Sequence, residues 1–407
     1  MSLDIFVFSV QNDHVNAFSH VSYWHVCFGR VAKRGYNSLK YSNYFFICEF
    51  KLFVCYFNFS RHIKDIYRYP YIFFGSCSIM LTNKNLRKTL DELEWLKQYY
   101  RKHCSVGKKP YSSEYDKRLR KETRTVFCMI DADVDKAADL ISIHQKNGRP
   151  MKDRVMLTKL HLIQQLFGLT NRQMESFTDI LIFAKTETFS YKTIERAFDD
   201  EVVRMIIHNL FVLSAGEPRE VDSSADGTGI SLTISKHYRT EREQDLKDEQ
   251  DTNKKRKQYL YSVAIIDLDS NLYVGYAVGF KSEKQLFLEA KNMLKQNGFS
   301  INSIRMDKYY SHQSMVKEFN KETRVYLIPK KNATIHGSVE WKIMLKTFIT
   351  NPLAYLTEYY KREKSESANS KDKKHCSLIR QRKPKRIAGA AFTNAVLHNL
   401  STKALYL

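Results

Sequence analysis

Near the carboxyl end, Tyr359, Arg362, Glu366 and Lys373 follow one another with gaps of two, three and six residues. On a single helix, at about 100° per residue, all four side chains fall within about 60° of one face. A carboxylate flanked by a phenol, a guanidinium and an ammonium suits a divalent metal bound beside a phosphodiester. Apolar residues are scarce between Tyr360 and Leu378, so such a helix has little greasy surface with which to dock on a core. Its ordinary reading is a solvated charge run, and the spacing gains meaning only with partners elsewhere in the chain.

The chemistry names those partners. Two hard cations about 3.5 to 4 Å apart need several carboxylates to supply oxygen ligands and balance charge. Asp226 qualifies in Ala225-Asp226-Gly227-Thr228-Gly229-Ile230, where a turn-like Asp-Gly runs into the alternation of Ile230, Leu232 and Ile234. It is expected on or beside the first strand of a sheet, and its ordinary alternative is a turn residue. Asp307 ends the short run Ile301 to Met306, at the strand edge where open α/β sheets place ligands. Its alternative is a cap for the segment from Ser311. Asp222 rivals Asp226 as the first carboxylate, whereas Asp267 and Asp269 read as hairpin residues.

The elements that must position these acids follow from periodicity. Tyr259 to Ile266 and Leu272 to Phe280 are β-rich and joined by the turn Asp267 to Ser270, which predicts a hairpin. Ser282 caps a helix through Leu294, with Leu286, Ala290 and Met293 at helical spacing and Asn297-Gly298 as its stop. Next come the strand ending at Asp307, a short helix from Ser311 to Phe319, and the strand Arg324 to Ile328 closed by Pro329. The fold class expected is α/β, a ribonuclease-H-like mixed sheet with flanking helices. An all-α, helix-turn-helix-like domain is expected before it.

With these residues in place, the chain resembles the DDE insertion-sequence transposases, in the branch that carries a Tyr-Arg-Glu-Lys signature. The resemblance spans Val221 to Leu400. It rests on that signature, the Asp-Gly-Thr-Gly start at Asp226, the block from Met306 to Ser311, the strand Tyr326 to Lys331, and Leu397 to Leu400. It implies Asp226, Asp307 and Glu366 as a catalytic triad holding two Mg²⁺ (or Mn²⁺) ions. Tyr359, Arg362 and Lys373 would grip the phosphates around the scissile bond, with Lys330 and Lys331 as further candidates. The implied partners are double-stranded DNA, both the element's terminal repeats and its target, and a second copy of the chain in a homodimer on DNA. No small-molecule substrate is implied. The short interval between Asp307 and Glu366 departs from relatives with a large β-rich insertion there and predicts a compact catalytic domain. Trp341 could stack on an unpaired base, but Ile343, Met344 and Leu345 beside it favour a core position.

Charge agrees with a polyanionic partner. The chain has 66 Lys and Arg against 44 Asp and Glu, a formal net charge of +22. Residues 361 to 386 hold eleven Lys or Arg against three acids. This concentration around Glu366 fits DNA passing through a site, and a flexible basic tail is its ordinary alternative. Seven cysteines, at 27, 48, 55, 77, 104, 128 and 376, form no C-x-x-C pair, so neither a zinc site nor a disulfide framework is expected. With no cleavable signal visible, the expected location is the cytoplasm, nucleoid-associated when DNA is bound. The greasiest run, Tyr44 to Phe59, contains Glu49 and Lys51 and is too short for a bilayer span.

The organisation expected has four parts. Residues 1–79 hold 21 aromatics, four cysteines and only four acids, without periodicity. They read either as translated AT-rich DNA upstream of a native start near Met80 or as a genuine aromatic-rich domain. Residues 80–150 form a charged helical arm. Residues 151–215 read as helix-turn-helix-like, with Leu157, Leu160, Ile163 and Leu166 on one helix and Met174, Phe177 and Leu181 on the next. Residues 216–407 form the catalytic domain with its basic carboxyl-terminal region. Gly216 to Ala225 is the expected linker, and Lys236 to Gln258 a solvated loop. Besides transposition, the residues allow a ribonuclease-H-like nuclease without strand transfer, or a catalytically dead DNA-binding remnant.

Overall fold

The computed structural model describes residues 80–104, 112–142, 152–181, 188–230, 260–375, 379, 381 and 383–406. All of them belong to one compact unit, Gly75–Leu407; the other unit, Met1–Phe74, and the rest of the aromatic-rich segment lie outside the described residues, as does the loop 236–258.

The sheet has five strands: β1 (Glu220–Ile230), β2 (Leu260–Asp267), β3 (Tyr273–Gly279), β4 (Ser300–Met306) and β5 (Arg324–Tyr326), in spatial order β3-β2-β1-β4-β5. β1, β2 and β3 form an antiparallel meander, while β4 and β5 run parallel to β1. The hairpin predicted between residues 259 and 280 is β2–β3. Asp267 ends β2 with 1 % exposure, accepting hydrogen bonds from Arg219 at 2.7 Å and from Ser270, so it holds the turn. The expected linker is different. Residues 220–225 are strand, and Asp226 lies inside β1, paired with Ala264, on the first strand as expected and not in the alternative turn. Ser223, Ser224 and Ala225 are buried with ladders on both sides, and that tertiary setting overrides their poor strand propensity.

Before the sheet come α1 (Asn83–Asp91), α2 (Leu93–His103), the long α3 (Ser113–Asp139), α4 (Arg154–Phe167), α5 (Asn171–Thr178), α6 (Tyr191–Ala197) and α7 (Glu201–Ala215). Local chemistry sets their ends. Asp153 caps α4 and Gly168 closes it at φ 64°, a left-handed conformation that glycine adopts without strain. Thr170 and Gln173 form a reciprocal capping box on α5. After β3 come α8 (Glu283–Gln296), which Ser282 and Gln285 cap in the same way, then the one-turn α9 (Gln313–Val316), α10 (Val339–Thr350), α11 (Pro352–Tyr360), α12 (Glu363–His375) and α13 (Pro384–Tyr406). Trp341 is core, 4 % exposed, its indole N–H donating to the Thr334 carbonyl at 2.9 Å.

One hydrophobic core runs from Val126, Ile130 and Val134 of α3, through Leu160 and Ile163 of α4 and Ile206 and Leu210 of α7, to Ile266 and Tyr273 of the sheet. Ala395, Val396 and Leu400 of α13 close it. No helix among the described residues is long and apolar enough to cross a membrane.

Candidate active site

The strand register brings the two aspartates together. β1 and β4 run parallel with Ser224 opposite Arg305 and Ala225 opposite Met306, so the next residues on each strand are Asp226 and Asp307. There β4 ends, because Asp307 turns outward to cap the 3-10 turn Lys308–Tyr310, its carboxylate accepting from the Tyr309 amide at 3.4 Å. β1 continues to Ile230 against β2 alone. This leaves an opening beside Asp226.

Glu366 reaches the same place on α12, which packs across β1. The docking uses small side chains in place of an apolar stripe. Ser365, Ala368 and Asn369 are buried, with Ser365 Oγ 3.0 Å from Ser224 Oγ and the Asn369 amide donating to Asp226 Oδ2 at 2.8 Å. Lys364 adds a hydrogen bond to the Leu268 carbonyl.

The single helix expected for the four-residue signature is broken. Tyr359 lies on α11, which ends at Tyr360, and α12 starts at Glu363. Between them the amides of Arg362, Lys364 and Ser365 donate three residues back, to the carbonyls of Tyr359, Lys361 and Arg362. This tightened turn directs the Arg362 guanidinium into the acids, 2.7 Å from Glu366 and 3.8 Å from Asp307. The guanidinium also lies over the Tyr359 ring, 5.3 Å from its centroid, and Tyr359 itself is only 4 % exposed. Burial pushes the Tyr359 phenol up to about 12.

Electrostatics describe a tight cluster of acids around one cation. Burial raises the Asp226 carboxyl above its ordinary range; Asn369 and Arg362 oppose the rise, and the charges of Glu366 and Asp307 reinforce it. Burial works against the Arg362 charge, but Tyr359, Glu366, Asp307 and Asp226 together hold it more firmly protonated than usual. Its buried Nε has no hydrogen-bond partner. As they stand, the guanidinium bridges Glu366 and Asp307 while Asn369 holds Asp226, and among the described residues no group of three or more His, Cys, Asp or Glu is set to hold a metal ion. The donor set nevertheless fits hard divalent cations: the ligands are all carboxylate oxygens, Asp307 and Glu366 remain about half exposed, and their mutual repulsion already draws a positive group among them.

The other expected residues are distributed around this centre. Asp222 is engaged elsewhere: it accepts from Asn302 at 3.0 Å and from Ser303, with Arg305 3.9 Å away. Lys330 and Lys331 are exposed just beyond β5, and the Lys330 amide donates to Ser311 Oγ at 3.2 Å, tying that loop to the segment after Asp307. Lys373 lies on α12, and its side chain is outside the described residues. A buried clamp behind the site was not foreseen from residue spacing. Arg305, 2 % exposed on β4, pairs with Glu358 of α11, donates from Nε to the Glu358 carbonyl at 3.2 Å, and stacks 5.0 Å over Tyr326. Arg305 is two residues from Asp307 and Glu358 is one from Tyr359, so the clamp fixes the strand carrying one acid to the helix preceding the other.

Comparison with known proteins gives two findings. Residues 113–182, covering α3 to α5, match the family model described as a transposase domain (DUF772). A probable transposase for insertion sequence element ISA1214 from Archaeoglobus fulgidus is 36% identical over 323 residues, covering 79% of this chain and 96% of that relative.

Proposed function

The chain belongs to the insertion-sequence transposases, and from that premise we propose that it cuts the ends of its element and joins them to target DNA at Asp226, Asp307 and Glu366. The observation that carries this reading is the meeting of three carboxylates delivered by two adjacent parallel strands and one crossing helix, Asp307 and Glu366 paired with Arg362 and Asp226 held by Asn369 of that same helix. The strand order β3-β2-β1-β4-β5, with acids on β1, after β4 and on α12, supports a ribonuclease-H-like arrangement.

In this reading the three acids hold two Mg²⁺ or Mn²⁺ ions, which would activate the attacking oxygen and stabilise the leaving oxygen of a phosphodiester. Arg362 shifts from the carboxylates to the phosphate beside the scissile bond, where its planar fork can bind two oxygens. Tyr359 acts from beneath, as the buried surface on which the guanidinium turns. Lys373, Lys330 and Lys331 supply point charges to the backbone on either side. On α5, within the family-matched segment, and on α6 after it, Arg172 and Lys192 are exposed, each within 6 Å of the Tyr191 ring, and this supports DNA contact at α5 and α6. Joining two ends in one reaction calls for two copies of the chain on DNA.

The test is Mg²⁺-dependent cleavage and joining of a DNA that carries the gene's own flanks, with the intact chain and with Asp307→Asn. End cleavage with joined products, abolished by the substitution, is the expected result. Activity that survives in Asp307→Asn removes the triad; unjoined cuts favour a nuclease, and tight binding without cuts an inactive DNA-binding remnant.

A further inference from the structure

A further carboxylate packs against the residue that follows Asp226. Glu283 opens α8, one residue after the cap Ser282, and its Oε1 accepts a hydrogen bond from the Tyr310 hydroxyl at 2.6 Å. Tyr310 has no exposed surface, and its ring is held between Phe287 and Tyr309 at 5.2 and 5.5 Å. On the other side of Glu283 is Gly227, the neighbour of Asp226. A Cβ at position 227 would lie 2.3 Å from Glu283 Oε1 and 2.4 Å from its Cδ, so a side chain there would evict the carboxylate. Gly227 has no positive φ, so the glycine supplies room and not a turn. The Tyr310 phenol is raised by burial first and then by Glu283, with the charge of Asp226 adding to both.

A glutamate that served only the helix terminus would need neither the buried phenol nor the missing side chain. Here both act on one half-buried carboxylate packed against the strand position next to the first acid of the site. We propose that Glu283 is a fourth acidic member of the active site, a positioning carboxylate that fixes the divalent ion held by Asp226. The inference rests on the metal-dependent reading above. Glu283 would act on the ion's ligand shell, and Tyr310 would aim it.

The experiment measures Mn²⁺ binding to the full chain without DNA, by loss of the free-ion electron paramagnetic resonance signal, alongside melting temperature in metal-free buffer. Glu283→Gln keeps the size of the side chain and the acceptor for Tyr310. It is expected to weaken Mn²⁺ binding by about tenfold or more, the scale set by outer-shell carboxylates, with the metal-free melting temperature unchanged. Tyr310→Phe, the second arm, keeps the charge but releases its aim, and is expected to weaken binding by a smaller factor. Wild-type affinity in Glu283→Gln together with loss in Asp226→Asn overturns the role of Glu283 and leaves the triad standing. A lower melting temperature with unchanged affinity overturns it too, by showing a structural role alone. Wild-type affinity in Asp226→Asn overturns the metal site itself and Glu283 with it.

Discussion

Glu358→Ala probes the clamp that sets the distance between the sheet and the helices of the signature. Arg305 is 2 % exposed, and the substitution removes its charged partner while leaving the Ser303 hydroxyl, the Tyr326 ring and Asp222 at 3.9 Å. Stripping one partner from a fully buried pair costs about 3 to 5 kcal/mol. Glu358 is 30% exposed and Asp222 remains, so the expected cost is lower, about 2 to 3 kcal/mol. For a domain of this order of size, that lowers the melting temperature by about 4 to 12 °C. Urea and thermal unfolding followed by circular dichroism measure it, with Glu358→Gln as the intermediate case. Burial acts to raise the Glu358 carboxyl, but Lys361 and Arg305 outweigh it and hold the group below its ordinary range. A carboxyl depressed in the folded state stabilises fully above its unfolded pKa and loses that contribution as pH falls through the folded value. The gap between wild type and Glu358→Gln is therefore expected to close on the acid side of about pH 4. A cost of only about 0.5 kcal/mol, the scale of an exposed ion pair, would refute the claim that Arg305 depends on this partner.

Gly275→Ala is expected to destabilise by about 1 to 3 kcal/mol in chemical denaturation, since the added Cβ would meet the Ala290 carbonyl oxygen at 2.5 Å and push α8 off β3. Arg362→Gln removes the cation from among three acids. Its metal-free form is expected to melt lower than wild type, and Ca²⁺ to restore more stability to it than to wild type, as differential scanning fluorimetry would show. In the same variant, the salt dependence of DNA affinity is expected to flatten by about one phosphate contact, read from binding titrations at several salt concentrations.

The legible parts of the sequence were those governed by local chemistry. Ser282 with Gln285, Thr170 with Gln173, and Gly168 mark helix ends because a cap is satisfied within a few residues. The hairpin of β2 and β3 is legible because its residues favour strands wherever they are placed. Asp307 stood out because the short run Ile301 to Met306 stops there. The start of β1 was misread as linker, although Asp226 was expected on or beside the first strand: Ser223, Ser224 and Ala225 are buried on both faces of the sheet, and only pairing on both sides makes those residues a central strand. The break between α11 and α12 leaves no trace in periodicity, because it follows from where Arg362 is drawn. Glu283 escaped notice for a similar reason. Its partner Tyr310 is 27 residues away and the space it fills is an absence at Gly227, so neither is visible until the sheet is folded.

α13 bears on when the protein becomes itself during synthesis. Its Ala395, Val396 and Leu400 complete a core begun by α3, some two hundred and seventy residues earlier in the numbering, and its Asn399 amide donates to the Tyr273 carbonyl at 3.0 Å on the edge strand β3. While α13 is still inside the ribosome, the helices of the family-matched segment and the sheet with its acids share an unfilled seam. A nascent chain therefore holds the acidic residues well before it can hold them in position. Assembly of the proposed site waits until α13 has emerged, and a chain that stops short of α13 exposes apolar surface of the kind that quality-control proteases remove.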